Sequence, residues 1–227
     1  MQTVYIHLYL TSDTTFGRGD GVAGLIDEEV EHDAATGLPF VRGRTLKGLL
    51  VEECANILFA LHAQNLSLCN RLEAPAQFLF GQAGSTRADD AMMHVGAALL
   101  PEELRRAVEA DVAQRTLQPA DVLAALTAIR RQTAVDEQTG APDQGSLRAM
   151  RVVLRDTAFL ARVDFEREPA AEALALLAAC VLALRRAGTG RNRGRGRLRA
   201  RLWDDQNNDI TMEHFTCFQQ LVKGAAS

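Results

Sequence analysis

The chain has 227 residues, enough for one elaborated domain and few for two of ordinary size. With 47% hydrophobic and 24% charged residues and a mean hydropathy of −0.08, it can fill a real core, which excludes a disordered or collagen-like chain. A formal net charge of −4 excludes a uniformly basic polyanion binder, but that figure averages two unlike regions.

The segment from Thr3 to Leu10 alternates Val4, Ile6, Leu8 and Leu10 with Thr3, Tyr5, His7 and Tyr9, the period of a half-buried strand. From Thr11 to Gly43 runs a long polar stretch containing Gly17, Gly19, Gly21 and Gly24; loops of that length in a compact domain are usually functional. Thr45 reads as the N-cap of a helix reaching about Gln64, with Leu46, Leu49, Leu50, Cys54, Ile57, Leu58 and Leu61 on one face. Leu66 to Asp90 reads as irregular, with Phe78 to Gly81 as an apolar anchor. Met92 to Leu99 suits a strand, Pro101 opens a charged helical piece, and Pro119 opens another reaching Ile129.

Arg130 to Arg148 is a polar, hairpin-like excursion with Gly140, Pro142 and Gly145, flanked by strand-like Met150 to Leu154 and Phe159 to Phe165. Glu168 to Arg186 is a helix with acids at its start, arginines at its end and Gly188 beyond. Arg197 to Trp203 then alternates Leu198, Ala200 and Leu202 with arginines, a strand with one basic face. Strand, helix, two strands, helix, strand is the β-α-β-β-α-β order of a ferredoxin-like α+β fold, here with large insertions. The expected organisation is one domain over 1–227, with an insert at about 66–128, a protruding arm at about 130–149 and a Gly/Arg-rich loop at 188–197. The longest near-continuous apolar run, Ala173 to Leu184, is twelve residues where a bilayer needs about 20, and the N-terminus lacks signal-peptide character, so the cytoplasm is the expected location.

Residues Arg185 to Arg201 hold eight arginines and no acid, which leaves 17 basic against 29 acidic side chains elsewhere, a net −12. Within that cationic segment, Gly188-Thr-Gly-Arg-Asn-Arg-Gly-Arg-Gly-Arg197 joins a helix to a strand. Glycines let backbone N–H groups approach phosphate oxygens, and arginine adds bidentate charge-assisted bonds, a combination suited to a polyanion backbone. A Walker loop would need Gly-Lys-Ser/Thr, and a Rossmann loop would precede its helix. The plain alternative is a solvated basic turn paired with the acidic body.

A second signal, Pro39-Phe-Val-Arg-Gly-Arg-Thr-Leu-Lys-Gly48, brings Arg42, Arg44, Thr45 and Lys47 to a helix N-terminus, whose free N–H groups and partial positive charge favour an anion. Thr45 alone is equally an ordinary cap. The four cysteines are isolated, with no C-x-x-C pair or histidine at zinc spacing, and read as buried reduced thiols.

Taken together, Gly24-Leu-Ile-Asp27, Asp33 through Gly48, Leu79-Phe-Gly81 and the loop Gly188 to Arg197 before a last strand resemble the RAMP (repeat-associated mysterious protein) superfamily, in particular backbone subunits of type III CRISPR–Cas effector complexes. The resemblance spans Tyr5 to Leu202. It implies an RNA-recognition-like core that grips a guide (CRISPR) RNA beside other RAMP subunits and a large subunit, and that meets target RNA in antiviral interference. By position, Arg42, Arg44, Thr45 and Lys47 would hold the guide backbone with Arg191, Asn192, Arg193, Gly194, Arg195 and Arg197. Residues Gln132 to Leu147, including Thr133 and Val135 with Arg131 beside them, would form a thumb hairpin that splays the duplex.

The resemblance also assigns Asp27 as the carboxylate of metal-dependent target-RNA cleavage, with Mg²⁺ or another divalent cation. A carboxylate there could orient the cation and a ribose 2′-hydroxyl for attack on the adjacent phosphate. Glu28, Glu29, Glu31 and Asp33 crowd the same loop, so Asp27 as one member of a solvated acidic run remains open. Arg44 and Thr45 replace the usual serines of the helix-start motif, and Phe16 stands where many members carry histidine. Two other readings follow: a non-catalytic scaffold subunit with the same grip, and a stand-alone guide-RNA-processing endoribonuclease, against which the scarcity of histidine counts.

Overall fold

The computed structural model describes residues 2–19, 21, 26–82, 91–133 and 148–224. Strand β1 (Thr3–Leu10) buries Val4, Ile6, Leu8 and Leu10 and turns the alternate residues outward, as its period predicts. Helix α1 (Gly43–Gln64) begins two residues before the expected cap: Arg42 occupies the capping position without a side-chain capping bond, and Thr45 is exposed inside the first turn. The early start is possible because Gly43 lies flat against β2 (Met93–Leu99); a Cβ there would meet the Val95 carbonyl oxygen at 2.1 Å.

The stretch from Leu66, expected to be irregular, forms helix α2 (Leu66–Phe80). Asn65 caps it by accepting the Leu68 N–H at 3.0 Å, and Leu68, Leu72, Pro75 and Leu79 face the core at helical spacing. Pro75, which removes one helical hydrogen bond, obscured that period. Helix α3 (Glu102–Ala113) and helix α4 (Pro119–Leu126) follow. The latter stops short of Ile129, because Thr127 begins strand β3 (Thr127–Gln132), which pairs antiparallel with β4 (Arg148–Val153) as a separate two-stranded sheet. The expected arm therefore starts with regular strands, and its tip at 134–147, with Val135, lies outside the described residues.

Strand β5 (Ala158–Phe165), helix α5 (Ala171–Ala183) and strand β6 (Leu198–Trp203) complete the core. The main sheet has the order β2-β5-β1-β6 with every neighbouring pair antiparallel, the arrangement that a ferredoxin-like β-α-β-β-α-β chain gives. Helix α5 is shorter at both ends than its composition suggested, and Ala173 through Val181 are buried on all sides. That burial is completed by a helix without counterpart in the sequence expectations, α6 (Thr211–Gly224), which packs on α5. Thr211 anchors α6 by clasping the Leu202 backbone: its hydroxyl accepts the Leu202 N–H at 2.7 Å and donates to the Leu202 carbonyl at 3.1 Å. All four cysteines are free; Cys54, Cys69 and Cys180 are buried as expected, whereas Cys217 on α6 is exposed. No helix among the described residues is long and apolar enough to cross a membrane.

Candidate nucleic-acid interface

The Gly/Arg loop between α5 and β6 is pinned along both arms. Thr189 N–H donates to the Thr15 carbonyl at 2.9 Å, Ala187 N–H to the Gly196 carbonyl at 2.8 Å, and Gly196 N–H to the Asp13 carbonyl at 3.1 Å. Gly188 and Gly196 have φ of 81° and 71°, and a Cβ on either would strike a backbone oxygen at 2.3 or 2.0 Å. These two glycines exist for close chain approach. Between them Asn192, Arg193 and Gly194 are exposed at the tip.

The acidic loop faces the same region, and it is not a solvated charge run. Phe16 and Val30 sit in the core, Phe16 edge-on to Phe159 at 6.1 Å, which is why a hydrophobic ring is tolerated at that position. Residue 28 bridges to Met150 of β4, with Arg151 N–H on the Glu28 carbonyl at 3.0 Å. Glu29, buried, accepts the Arg151 guanidinium at 2.7 Å and the Val30 N–H at 2.9 Å. Glu31 takes Arg42 in a two-pronged pair, Nε at 2.8 Å and Nη2 at 3.0 Å. Glu28 accepts the Thr189 hydroxyl. Each of these three glutamates has an internal partner, which leaves Asp27 and Asp33 as the exposed carboxylates among the described loop residues, and Asp33 is engaged in its own turn, accepting the Ala35 and Thr36 N–H groups at 2.9 Å.

Asp27 is itself held: its N–H donates to the Ala149 carbonyl at 2.7 Å, and its Oδ2 accepts the Ala149 N–H at 2.6 Å. It opens into a groove bordered by Glu28, by Gln132 and Arg148 at the root of the β3–β4 arm, and by the Gly/Arg loop from Gly188 to Arg193. Three signals spread over more than 160 residues of sequence thus share one concavity. Arg148 was not among the sequence candidates; it is recognisable only through its pairing with Gln132 across the arm.

The remaining candidates divide. Arg44 and Thr45 are exposed at the start of α1. Lys47 turns inward, donating to the Met93 carbonyl at 3.1 Å, and burial pulls its ammonium below the usual lysine value. Arg191 is bound to Glu52 of α1, and Arg195 lies against the Met150 sulfur. Arg197 is exposed at the start of β6, away from the Asp27 groove. Arg131 and Thr133 are exposed on the arm. The helix-start motif and the Asp27 groove are therefore separate stations, joined by α1, which carries Arg44 in its first turn and meets the loop through Glu52 two turns later.

Among the described residues no cluster of three or more His, Cys, Asp or Glu could enclose a metal ion. Asp27 alone fits a looser role. Its Oδ1 takes no hydrogen bond from a described residue, and Mg²⁺ is commonly held by one or two carboxylates with water and substrate phosphate completing the shell.

A family model described as the RAMP superfamily matches residues 7–199. No curated protein matches significantly. Among solved structures, a chain of a type III-B Cmr-beta complex bound to cognate target RNA is similar at a TM-score of 0.60 and 11% identity, covering 89% of this chain and 97% of that one. A chain of apo type III-B Cmr-beta is similar at a TM-score of 0.60 and 13% identity, covering 90% and 98%. At such identities the likeness is one of fold.

Proposed function

Because the chain belongs to the RAMP superfamily, we propose that it is a guide-RNA-binding backbone subunit of a type III CRISPR effector complex, working in the cytoplasm beside other RAMP subunits and a large subunit. In this reading residues 1–227 act as one RAMP domain. Arg44 and Thr45 hold the guide backbone at the start of α1, and Asn192, Arg193 and Gly194 hold it at the loop tip. The arm carrying Arg131 and Thr133 lies against the guide–target duplex. That the type III-B Cmr-beta assembly holding the similar chain is bound to cognate target RNA supports a second strand meeting this fold.

The observation that carries the reading is the groove in which Asp27, the Gly/Arg loop and the root of the arm converge. Asp27 faces a strand laid along that loop with one carboxylate oxygen that no described residue hydrogen-bonds, its backbone fixed by Ala149. Asp27 would hold a divalent cation through that oxygen, and the cation would supply charge stabilisation on the scissile phosphate. Arg148 and Arg193 flank the position and offer bidentate bonds to phosphate oxygens.

The bond from Ala149 N–H to Asp27 Oδ2 favours a second reading, in which Asp27 fastens the loop to β4 and the subunit is a non-catalytic scaffold. The two separate in one experiment. The complex is assembled on guide RNA, given complementary RNA with Mg²⁺ or EDTA, and wild type is compared with Asp27→Ala and Asp27→Asn. Loss of cutting in both variants with guide retention intact supports cleavage by Asp27; unchanged cutting leaves the scaffold.

A further inference from the structure

The helix-covered face of the main sheet is the core, but the opposite face has a composition of its own. On β1 it presents Tyr5, His7 and Tyr9, and on β6 the register sets Trp203 opposite Tyr5, Arg201 opposite His7 and Arg199 opposite Tyr9. His7 stacks on Trp203, with centroids 4.4 Å apart and planes 7° from parallel. Tyr9 is 42% exposed, and Arg199 and Arg201 are exposed. An aromatic row and an arginine row thus run side by side.

The arginine row continues over the sheet edge. β6 is an edge strand, and a groove along it collects Arg185, Arg186, Arg197, Arg199 and Arg201, with Glu53 as its acid. Arg185, Arg186, Arg197 and Arg199 make no ion pair among the described residues; Arg201 approaches Asp209 at 3.8 Å, and the Tyr9 hydroxyl donates to Asp156 at 2.9 Å. Cations gathered this way repel one another until an external anion joins them.

The geometry points to a binding surface for single-stranded nucleic acid on this outer sheet face, distinct from the Asp27 groove, with arginines of β6 on the phosphates and Tyr9, Tyr5 and the His7–Trp203 stack beneath the bases. Successive arginines at every second strand residue are about 6.8 Å apart, so the row offers regularly spaced cations to a repeating phosphate backbone. An acidic protein would satisfy the arginines equally but gives the adjoining aromatic row no role; bases stack on such rings. The assignment does not depend on whether Asp27 cuts RNA.

The test uses the full chain in a background carrying Arg44→Ala and Arg193→Ala, which weakens the other track. Fluorescent oligo-uridine and oligo-deoxythymidine of about a dozen nucleotides are titrated over a salt series. Arg199→Ala with Arg201→Ala should weaken binding at least about tenfold and reduce the log–log salt slope by about 1.4, the value for two phosphate contacts on a single strand. Tyr9→Leu should weaken it roughly 5- to 150-fold with the slope unchanged, and ultraviolet cross-links should map to the peptide containing Tyr9. A preference between the two oligonucleotides identifies RNA or DNA as the strand held. The proposal is overturned if the folded arginine variant binds as the background does, if cross-links fall only in the Gly/Arg loop, or if poly-glutamate of equal charge displaces the oligonucleotide as well as unlabelled oligonucleotide does. Circular dichroism on each variant separates lost binding from lost fold, and Arg199→Lys with Arg201→Lys, retaining charge, should recover most of the affinity.

Discussion

Arg191 reaches across from the Gly/Arg loop and meets Glu52 of α1 through two parallel bonds, Nη1 to Oε2 at 2.9 Å and Nη2 to Oε1 at 3.0 Å. The pair fixes the distance between the loop tip and the helix whose first turn carries Arg44. Removal of an arginine expected to grip RNA from the free cation count is thus repaid as geometry: Arg193 and Asn192 are presented from a tethered loop.

Both partners are partly open to solvent, so the pair contributes at most about 1 kcal/mol, or roughly 2–4 °C in melting temperature for a chain of this size. Glu52→Gln should therefore melt nearly as wild type does. Amide exchange at Arg191 through Gly194 should rise, and guide affinity should fall although a carboxylate has been removed from beside a polyanion site. Tighter guide binding by Glu52→Gln would show that Glu52 acts only as a competitor for Arg191.

Glu29 and Arg151 form a contrasting pair, with side chains 8% and 17% exposed. Arg151 also donates from Nη1 to the Thr127 hydroxyl at 3.1 Å, so it ties the Asp27 loop, β3 and β4 together. Glu29→Ala would strand a largely buried guanidinium and should cost about 3–5 kcal/mol in urea unfolding. Replacing both, Glu29→Leu with Arg151→Met, should cost less than the single change. Equal losses would show that the two groups do not act as a pair.

These two pairs mark where the sequence stopped being readable. Three of the four strands of the main sheet follow from alternation that survives in Val4 through Leu10, Phe159 through Phe165 and Leu198 through Leu202, because each buries one face against helices; in β2 a register shift between Val95 and Ala98 breaks that period. Helix α2 was hidden by Pro75, and α6 by the mixed polarity of a helix that covers another helix and not the sheet. The sorting of Glu28, Glu29 and Glu31 from Asp27 rests on partners that are distant in sequence for the first two, Thr189 and Arg151. An acidic run and a set of specific braces look alike until the chain is folded. The convergence of Asp27 with the Gly/Arg loop came partly from family likeness, and spacing alone contains no trace of it.

His7 gives the fold a pH response. Burial against Trp203 lowers its pKa below the ordinary 6.5, with the nearby Asp209 charge opposing more weakly. As pH falls through about 6.5 the unfolded chain takes up the proton while the native chain resists, so the unfolded state binds more protons and stability declines with acidification. Above that range the residue contributes no slope. Urea midpoints at pH 8, 7, 6 and 5.5 should fall more steeply for wild type than for His7→Phe, which keeps a flat ring on Trp203; parallel curves would remove His7 as the cause.

Gly194 and Gly196 share a left-handed backbone, φ 82° and 71°, but differ in what surrounds them. A Cβ on Gly196 would lie 2.0 Å from the Ala187 carbonyl oxygen, so alanine there must break the bond from Ala187 N–H to the Gly196 carbonyl or shift the β6 entry. A Cβ on Gly194 meets nothing within 4 Å. Gly194→Ala should therefore cost only the conformational strain of about 1–2 kcal/mol, and Gly196→Ala clearly more, both read by urea unfolding. The useful variant for function is the milder one. If the exposed tip lets a phosphate approach the bare backbone, Gly194→Ala leaves every arginine in place and still weakens guide binding, with an unchanged salt slope because no counterion contact has been removed. Undiminished affinity in a folded Gly194→Ala chain would mean that the arginines alone carry the contact and that the glycine serves only the turn.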